Sequence, residues 1–242
     1  MKSGTRHSPV RSFLLIPLLS FPGFGADVHE GATLSGPEVL VRAVKTYANV
    51  TTYRDAGVVR IVYIEGGGRR TEERLFKTAF VRPDRFRFEY TESNPLGRVR
   101  RYVVWQHGPD VRKWWDVEPT VETLPSLETG LAGATGVSGG SAHTVPRLLL
   151  PSSVTGRSLG DMTEVKRLSD AECGGDTCAR VVGIYAGSQR TLWINLRSFL
   201  LRRVEWKTTF PDFRTESTIT YEPVADEPIP AESLAFDPSP TE

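Results

Sequence analysis

The chain has 242 residues, with 30 Lys and Arg against 29 Asp and Glu, 39% hydrophobic residues, 10% aromatic residues and two Cys. A net charge of +1 excludes the basic footprint of a nucleic-acid partner, ordinary charge and apolar content exclude wholesale disorder, and four His with two Cys leave little material for a metal cluster. The length suits one large domain or two small ones, and 22 Gly and 17 Pro beside many Val, Thr and aromatic residues lean towards β structure with many turns.

Residues 1–25 read as an export leader. Lys2, Arg6 and Arg11 form a basic stretch without acids, Phe13–Phe21 is apolar, and Pro22 with Gly23-Phe24-Gly25 supplies a break and small residues for cleavage. Nine largely apolar residues interrupted by Pro17 fall short of the ~20 that span a bilayer. Cleavage would remove three basic residues and leave 27 basic against 29 acidic, a net charge of −2 on a soluble product. The domain is therefore expected at 26–242, a single unit without an internal repeat or a linker fit to be a boundary.

Ala26–Leu34 lacks periodicity and reads as a loose arm. Ser35, Pro37 and Glu38 then make a capping box with Pro in the first turn, and Leu40, Val44, Tyr47 and Ala48 fall on one helical stripe ending near Asn49. The period changes to two over Tyr53–Glu65, turns at Gly66-Gly67-Gly68, and returns over Glu73–Val81. After Arg82-Pro83-Asp84, Arg85–Thr91 alternates with Phe86, Phe88 and Tyr90 on one face and Arg85, Arg87 and Glu89 on the other. A turn at Asn94-Pro95-Leu96-Gly97 leads to strands at Val99–Gln106 and Val111–Val117, continuing the meander.

Thr123–Ala134 and Ala142–Leu150 have helical spacing and are joined by a Gly/Ser-rich link. Strands resume at Glu164–Leu168, Ala179–Ala186, Thr191–Leu196, Phe199–Thr208 and Arg214–Tyr221, with a short last segment at Leu234–Phe236. Ten or eleven strands are expected. The fold class is mainly β (α+β): one curved antiparallel sheet, an incomplete barrel, with an N-terminal helix and a helical lid insertion over an apolar cavity. Cys173 and Cys178 flank Gly174-Gly175-Asp176-Thr177. In an oxidising compartment a disulfide closing a hairpin is the reading; a redox pair is the rival, against which stand the spacing and the lack of a following helix.

Catalytic motifs fare poorly. Gly136-Val137-Ser138-Gly139-Gly140 matches the G-x-S-x-G elbow, but helix precedes it instead of strand, and His143 follows after five residues with no acid between. No P-loop Lys-Ser/Thr follows these glycines, and no two His share a ligand spacing. No enzyme, metal or cofactor is expected. What remains is aromatic: Phe76, Phe80, Phe86, Phe88, Tyr90, Tyr102, Trp105, Trp114 and Trp115 crowd consecutive strands. About half are expected in plain core and the rest along a cavity suited to acyl chains, with the Gly-linked insertion as lid.

In this order of features the chain resembles the LolA-type outer-membrane lipoprotein carriers and their periplasmic relatives. The likeness is carried by Phe80-Val81-Arg82-Pro83-Asp84-Arg85-Phe86-Arg87-Phe88, by the hairpin from Val104-Trp105-Gln106-His107-Gly108 to Val111–Asp116, and by the ending Ala231–Pro238. The insertion Thr123–Leu150 and the Cys173–Cys178 pair depart from the best-known carriers and mark a divergent member. The resemblance implies a periplasmic carrier for lipoprotein acyl chains or other lipid, moving them towards the outer membrane between membrane-associated donor and acceptor proteins. It also implies that Arg82 holds the lid closed, through hydrogen bonds to carbonyls at helix C-termini. The lipid-binding set expected is Arg82, Phe80, Phe86, Phe88, Trp105, Trp114, Leu131 and Leu148, in a monomer. The runner-up function is a lipid-sensing regulatory module that docks on a membrane partner.

Overall fold

Ser35 opens the first helix as its composition dictates. Its hydroxyl accepts from the Glu38 N–H while the Glu38 carboxylate accepts from the Ser35 N–H at 2.7 Å, a complete capping box, and α1 runs Gly36–Asn49. The computed structural model describes Met1 and residues 33–93 and 99–238. Residues 2–25 of the expected leader, the arm up to residue 32 and the turn at Asn94–Gly97 lie outside the described residues.

Among the described residues thirteen strands follow: β1 (Thr52–Glu65), β2 (Gly68–Val81), β3 (Arg85–Ser93), β4 (Val99–His107), β5 (Asp110–Trp115), β6 (Glu118–Thr123), β7 (Thr163–Arg167), β8 (Ala171–Cys173), β9 (Asp176–Tyr185), β10 (Ser188–Asn195), β11 (Leu201–Thr209), β12 (Arg214–Tyr221) and β13 (Val224–Ala225). They form one antiparallel sheet in the order β6-β5-β4-β3-β2-β1-β12-β11-β10-β9-β7, with β13 on β1 and β8 on β9. The two ends of this order do not pair, so the sheet is open. Between β6 and β7 lie α2 (Leu127–Val137), α3 (Val145–Leu149) and α4 (Ser152–Thr155), with a 3-10 turn at Ser141–His143 before α3.

The extra strands are those without apolar alternation. β6 is almost wholly exposed, carries Pro119 and sits at the sheet edge, where neither face needs apolar residues. The first residues of β2 extend the β1–β2 hairpin beyond the core and are held by charge, Arg60 pairing with Glu73 and the Arg70 guanidinium lying 4.2 Å from the Tyr63 ring centroid. β8 is three residues long and owes its place to the Cys173–Cys178 disulfide, which links it to β9 with the Cα atoms 6.0 Å apart. The expected last segment, Leu234–Phe236, follows a 3-10 turn at Ala231–Ser233 and forms no strand.

Helices α1, α2 and α3 cover one face of the sheet, here the inner face, and α4 packs on α2 and α3. α1 packs on β7 and β9, and α2 on β4 and β5. Gly130 sets the second contact: a Cβ there would stand 2.4 Å from the Val104 methyl, so a side chain would hold α2 away from β4. The Gly139 and Gly140 positive φ angles, +60° and +92°, turn the chain out of α2 and back towards α3. No helix among the described residues is long and apolar enough to cross a membrane.

Candidate functional site

The inner face is built by register. Tyr221, Gly57, Phe76, Tyr90, Tyr102 and Trp115 stand opposite one another across β12, β1, β2, β3, β4 and β5, one aromatic rung broken only by Gly57. Gly57 is required there, because a Cβ would meet the Phe76 ring at 2.2 Å and the Thr220 carbonyl oxygen at 2.3 Å. Two rungs away Tyr53, Phe80 and Phe86 align, and the rung between holds Asp55, Thr78 and Phe88. Phe80 and Phe86 meet edge to face at 6.5 Å, and Phe76 stacks on Phe88 at 6.3 Å.

The lid helices fill this face. Val39, Leu40, Ala43 and Tyr47 of α1, Leu127, Leu131 and Ala134 of α2, and Val145, Leu148 and Leu149 of α3 join the sheet aromatics in one buried cluster. The space expected as an acyl-chain cavity is thus occupied by the lid. A ligand reaches the aromatic rungs only if the helices lift. A groove of about 430 Å³ beside Ala56, Lys77 and Arg202 opens on the opposite, outer face.

Arg82 closes the arrangement. It follows β2, and its Nε donates to the Val50 carbonyl at 2.7 Å while Nη2 donates to the Tyr47 carbonyl at 3.0 Å and the Leu149 carbonyl at 3.1 Å. Tyr47 and Val50 belong to the end of α1, and Leu149 is the last residue of α3. One guanidinium therefore joins the carbonyl ends of two lid helices to the sheet, where the negative end of each helix dipole favours a cation. Its flat face lies 5.1 Å from the Phe80 ring centroid.

Next to Arg82 is a buried polar chain that the alternation could have revealed, since Asp55 falls on the inward beat of β1 between Tyr53 and Gly57. Tyr53 donates its hydroxyl to Asp55 Oδ2 at 2.8 Å, Thr78 N–H donates to Oδ1 at 2.9 Å, and the Leu201 N–H donates to the Tyr47 hydroxyl at 3.0 Å. Burial pushes the Asp55 carboxyl up to about 6, against which the hydrogen bonds from Tyr53 and Thr78 act. Thr144, just before α3, is hydrogen-bonded to the Tyr221 hydroxyl and adds a second polar tie between lid and sheet.

The other expected site residues divide. Phe80, Phe86, Phe88, Leu131 and Leu148 all meet in the buried inner cluster. Trp105 and Trp114 do not join them. Their registers, Trp105 with Arg87 and Trp114 with Val103, put both on the outer face. There they hold Phe236, at 5.1 Å and 5.3 Å between ring centroids, with Arg87 and Arg101 over the same ring. Adjacent residues of a strand point to opposite faces, so Val104 and Trp115 take the inner positions instead. Ser138 of the G-x-S-x-G match is the fully buried residue capping the end of α2, and its hydroxyl accepts from the Ala142 N–H at 3.3 Å. His143 Nε2 lies 3.4 Å from Arg147 Nη2, and burial together with that cation holds the imidazole down to about 4.

No family model and no curated protein matches the chain. Solved structures do. A putative outer membrane lipoprotein-sorting protein domain from Vibrio parahaemolyticus is 11% identical, covering 82% of this chain and 95% of its own, with a TM-score of 0.39. A LolA superfamily protein from Nitrosomonas europaea is 12% identical over 84% of this chain and 99% of its own, with a TM-score of 0.32. MucB in complex with MucA(peri) is 9% identical over 84% of this chain and 60% of its own, with a TM-score of 0.32. The chain is similar to LolA-type structures. The likeness is one of overall fold at very low identity.

Proposed function

We propose that the protein is a periplasmic carrier that holds the acyl chains of a lipoprotein or another lipid against the aromatic inner face. The observation that carries this reading is Arg82, whose one guanidinium ties the ends of α1 and α3 over an apolar sheet face. Such an arrangement has a closed state, in which lid side chains occupy the face, and an open state, in which acyl chains replace them. Burial of chain is worth about 0.8 kcal/mol per methylene, so a fatty acyl group can offset the loss of lid packing. The sequence resemblance to LolA-type carriers supports the same reading. Within it the leader directs export, donor and acceptor proteins sit at the membranes, the carrier acts as a monomer, and no catalytic chemistry is involved.

The test is lipid uptake and transfer. Native mass spectrometry of protein purified from the periplasm is expected to show bound lipid, and the loaded protein is expected to pass a fluorescent fatty acid to a membrane acceptor. Binding without transfer would assign the protein instead to lipid sensing. Lipid-free protein that takes up no fluorescent fatty acid would overturn both.

A further inference from the structure

At the end of the inner face remote from Arg82, one cation has no acidic partner among the described residues. Arg190 of β10 lies between the rings of Trp206, 4.5 Å from its guanidinium carbon, and Tyr185, 5.3 Å away. Its Nε is buried without a hydrogen-bond acceptor, and among the described residues none of the ion pairs includes it. Arg74, which also faces inward, is paired with both Glu72 and Glu92.

A second cation converges on the same tyrosine from the lid. Arg147 of α3 donates through Nη1 to the Tyr185 hydroxyl at 3.2 Å and to the Arg157 carbonyl at 2.9 Å, with His143 beside it. No ion pair among the described residues reaches Arg147 either. Two guanidinium groups thus meet around Tyr185, one from the sheet and one from the lid, with no acid among the described residues paired to either. A partly buried charge without a counterion is costly, and an anion is what would complete the site. On the adjoining rung Leu192, Val204 and Ile219 present a wholly buried apolar track.

We propose that Arg190 and Arg147 bind the anionic head group, a carboxylate or a phosphate, of an amphiphile whose chain lies along Leu192, Val204 and Ile219. This rests on the carrier reading and specifies its ligand as an anionic lipid. The planar guanidinium suits such a group, since it offers two parallel donors to two oxygens. Trp206 and Tyr185 keep the Arg190 plane fixed, so only its edge is offered. Arg147 travels with α3, so the head group is gripped by both sheet and lid.

The test compares laurate with methyl laurate by calorimetry at pH 8, with inorganic phosphate as a third probe. The wild-type protein is expected to bind laurate at least tenfold more tightly than the ester. Arg190→Gln is expected to reduce that ratio to near one through a loss of laurate affinity, and Arg147→Gln, on the partly exposed lid, to reduce it as well. Arg190→Lys, which keeps the charge, is expected to recover part of the preference and guards against a folding defect in Arg190→Gln. Equal binding of both ligands by the wild type would overturn the head-group site and leave the carrier reading standing. Failure to bind either would overturn the carrier reading itself. Binding of inorganic phosphate with no preference for laurate would assign the arginines to a free anion and overturn the amphiphile assignment.

Discussion

Replacing Arg82 by Leu removes three hydrogen bonds, to the carbonyls of Val50, Tyr47 and Leu149. Only the last ties α3 to the sheet. A hydrogen bond from a charged donor contributes about 1.5–3 kcal/mol, so loss of the Leu149 bond lowers the ratio of closed to open lid by about 10–150-fold. The two α1 carbonyls are orphaned as well, and global stability falls further. Hydrogen exchange reads the two effects separately. The Leu150 N–H, bonded to the Pro146 carbonyl, reports α3, while the β1–β2 ladder reports the whole fold. The expected result is a 10–150-fold loss of protection at Leu150 that exceeds any loss in the ladder. Because the ligand-competent open state becomes more populated, apparent acyl-chain affinity rises and release slows. Arg82→Lys, with one ammonium in place of a planar fork, recovers only part of the wild-type behaviour. Wild-type protection at Leu150 in Arg82→Leu would refute the lid-latch reasoning, whatever the effect on melting temperature.

Gly130→Ala should act on the lid from the other side. Alanine gains ~1 kcal/mol of helix propensity, but its Cβ would meet the Val104 methyl, so α2 is expected to lose protection against exchange although the helix itself is a better one. Cys173→Ser with Cys178→Ser should lower stability in urea by about 2 kcal/mol, the loop-closure value for so short a ring, with acyl-chain binding unchanged. Acid titration should reveal two opposed groups. Asp55 titrates near 6 in the fold against an unfolded value of 3.8, so the folded state holds the extra proton and this group's contribution is lost as pH rises through that window. Relative to wild type, Asp55→Asn is therefore expected to gain up to about 3 kcal/mol on going from pH 4 to pH 7. His143 runs the other way: its depressed value means stability is lost as pH falls from 6.5 to about 4, and His143→Gln is expected to resist acid better than wild type in urea melts.

Much of the architecture was legible because local chemistry and tertiary packing agree there. Ser35, Pro37 and Glu38 specify the start of α1 without help from any neighbour. The alternation of Arg85–Thr91 places Phe86, Phe88 and Tyr90 in the core because the side-chain period of a strand is two, whatever pairs with it. The close spacing of Cys173 and Cys178 around a turn limited their pairing in the same way. Elements stabilised mainly by neighbours left no such trace. β6 and the outer half of β2 are exposed on both faces without apolar alternation, and pairing to an adjacent strand, helped in β2 by surface charge, makes them strands.

The site shows the same division. Sequence alone determined which residue types were available, an Arg-Pro turn among Phe-rich strands and a Gly-linked helical insertion. Register decided which of the aromatics meet, and it sent Trp105 and Trp114 to the outer face to hold Phe236. The tertiary fold also decided that Arg82 finds the Leu149 carbonyl 67 positions later, and that Arg190 and Arg147 converge on Tyr185 with no ion pair to either among the described residues. The physical reason is one of range. Caps, turns and the two-residue period act over a few bonds and are written locally. The partner of a side chain across a sheet or beneath a lid depends on how distant segments pack, and only the folded chain sets that.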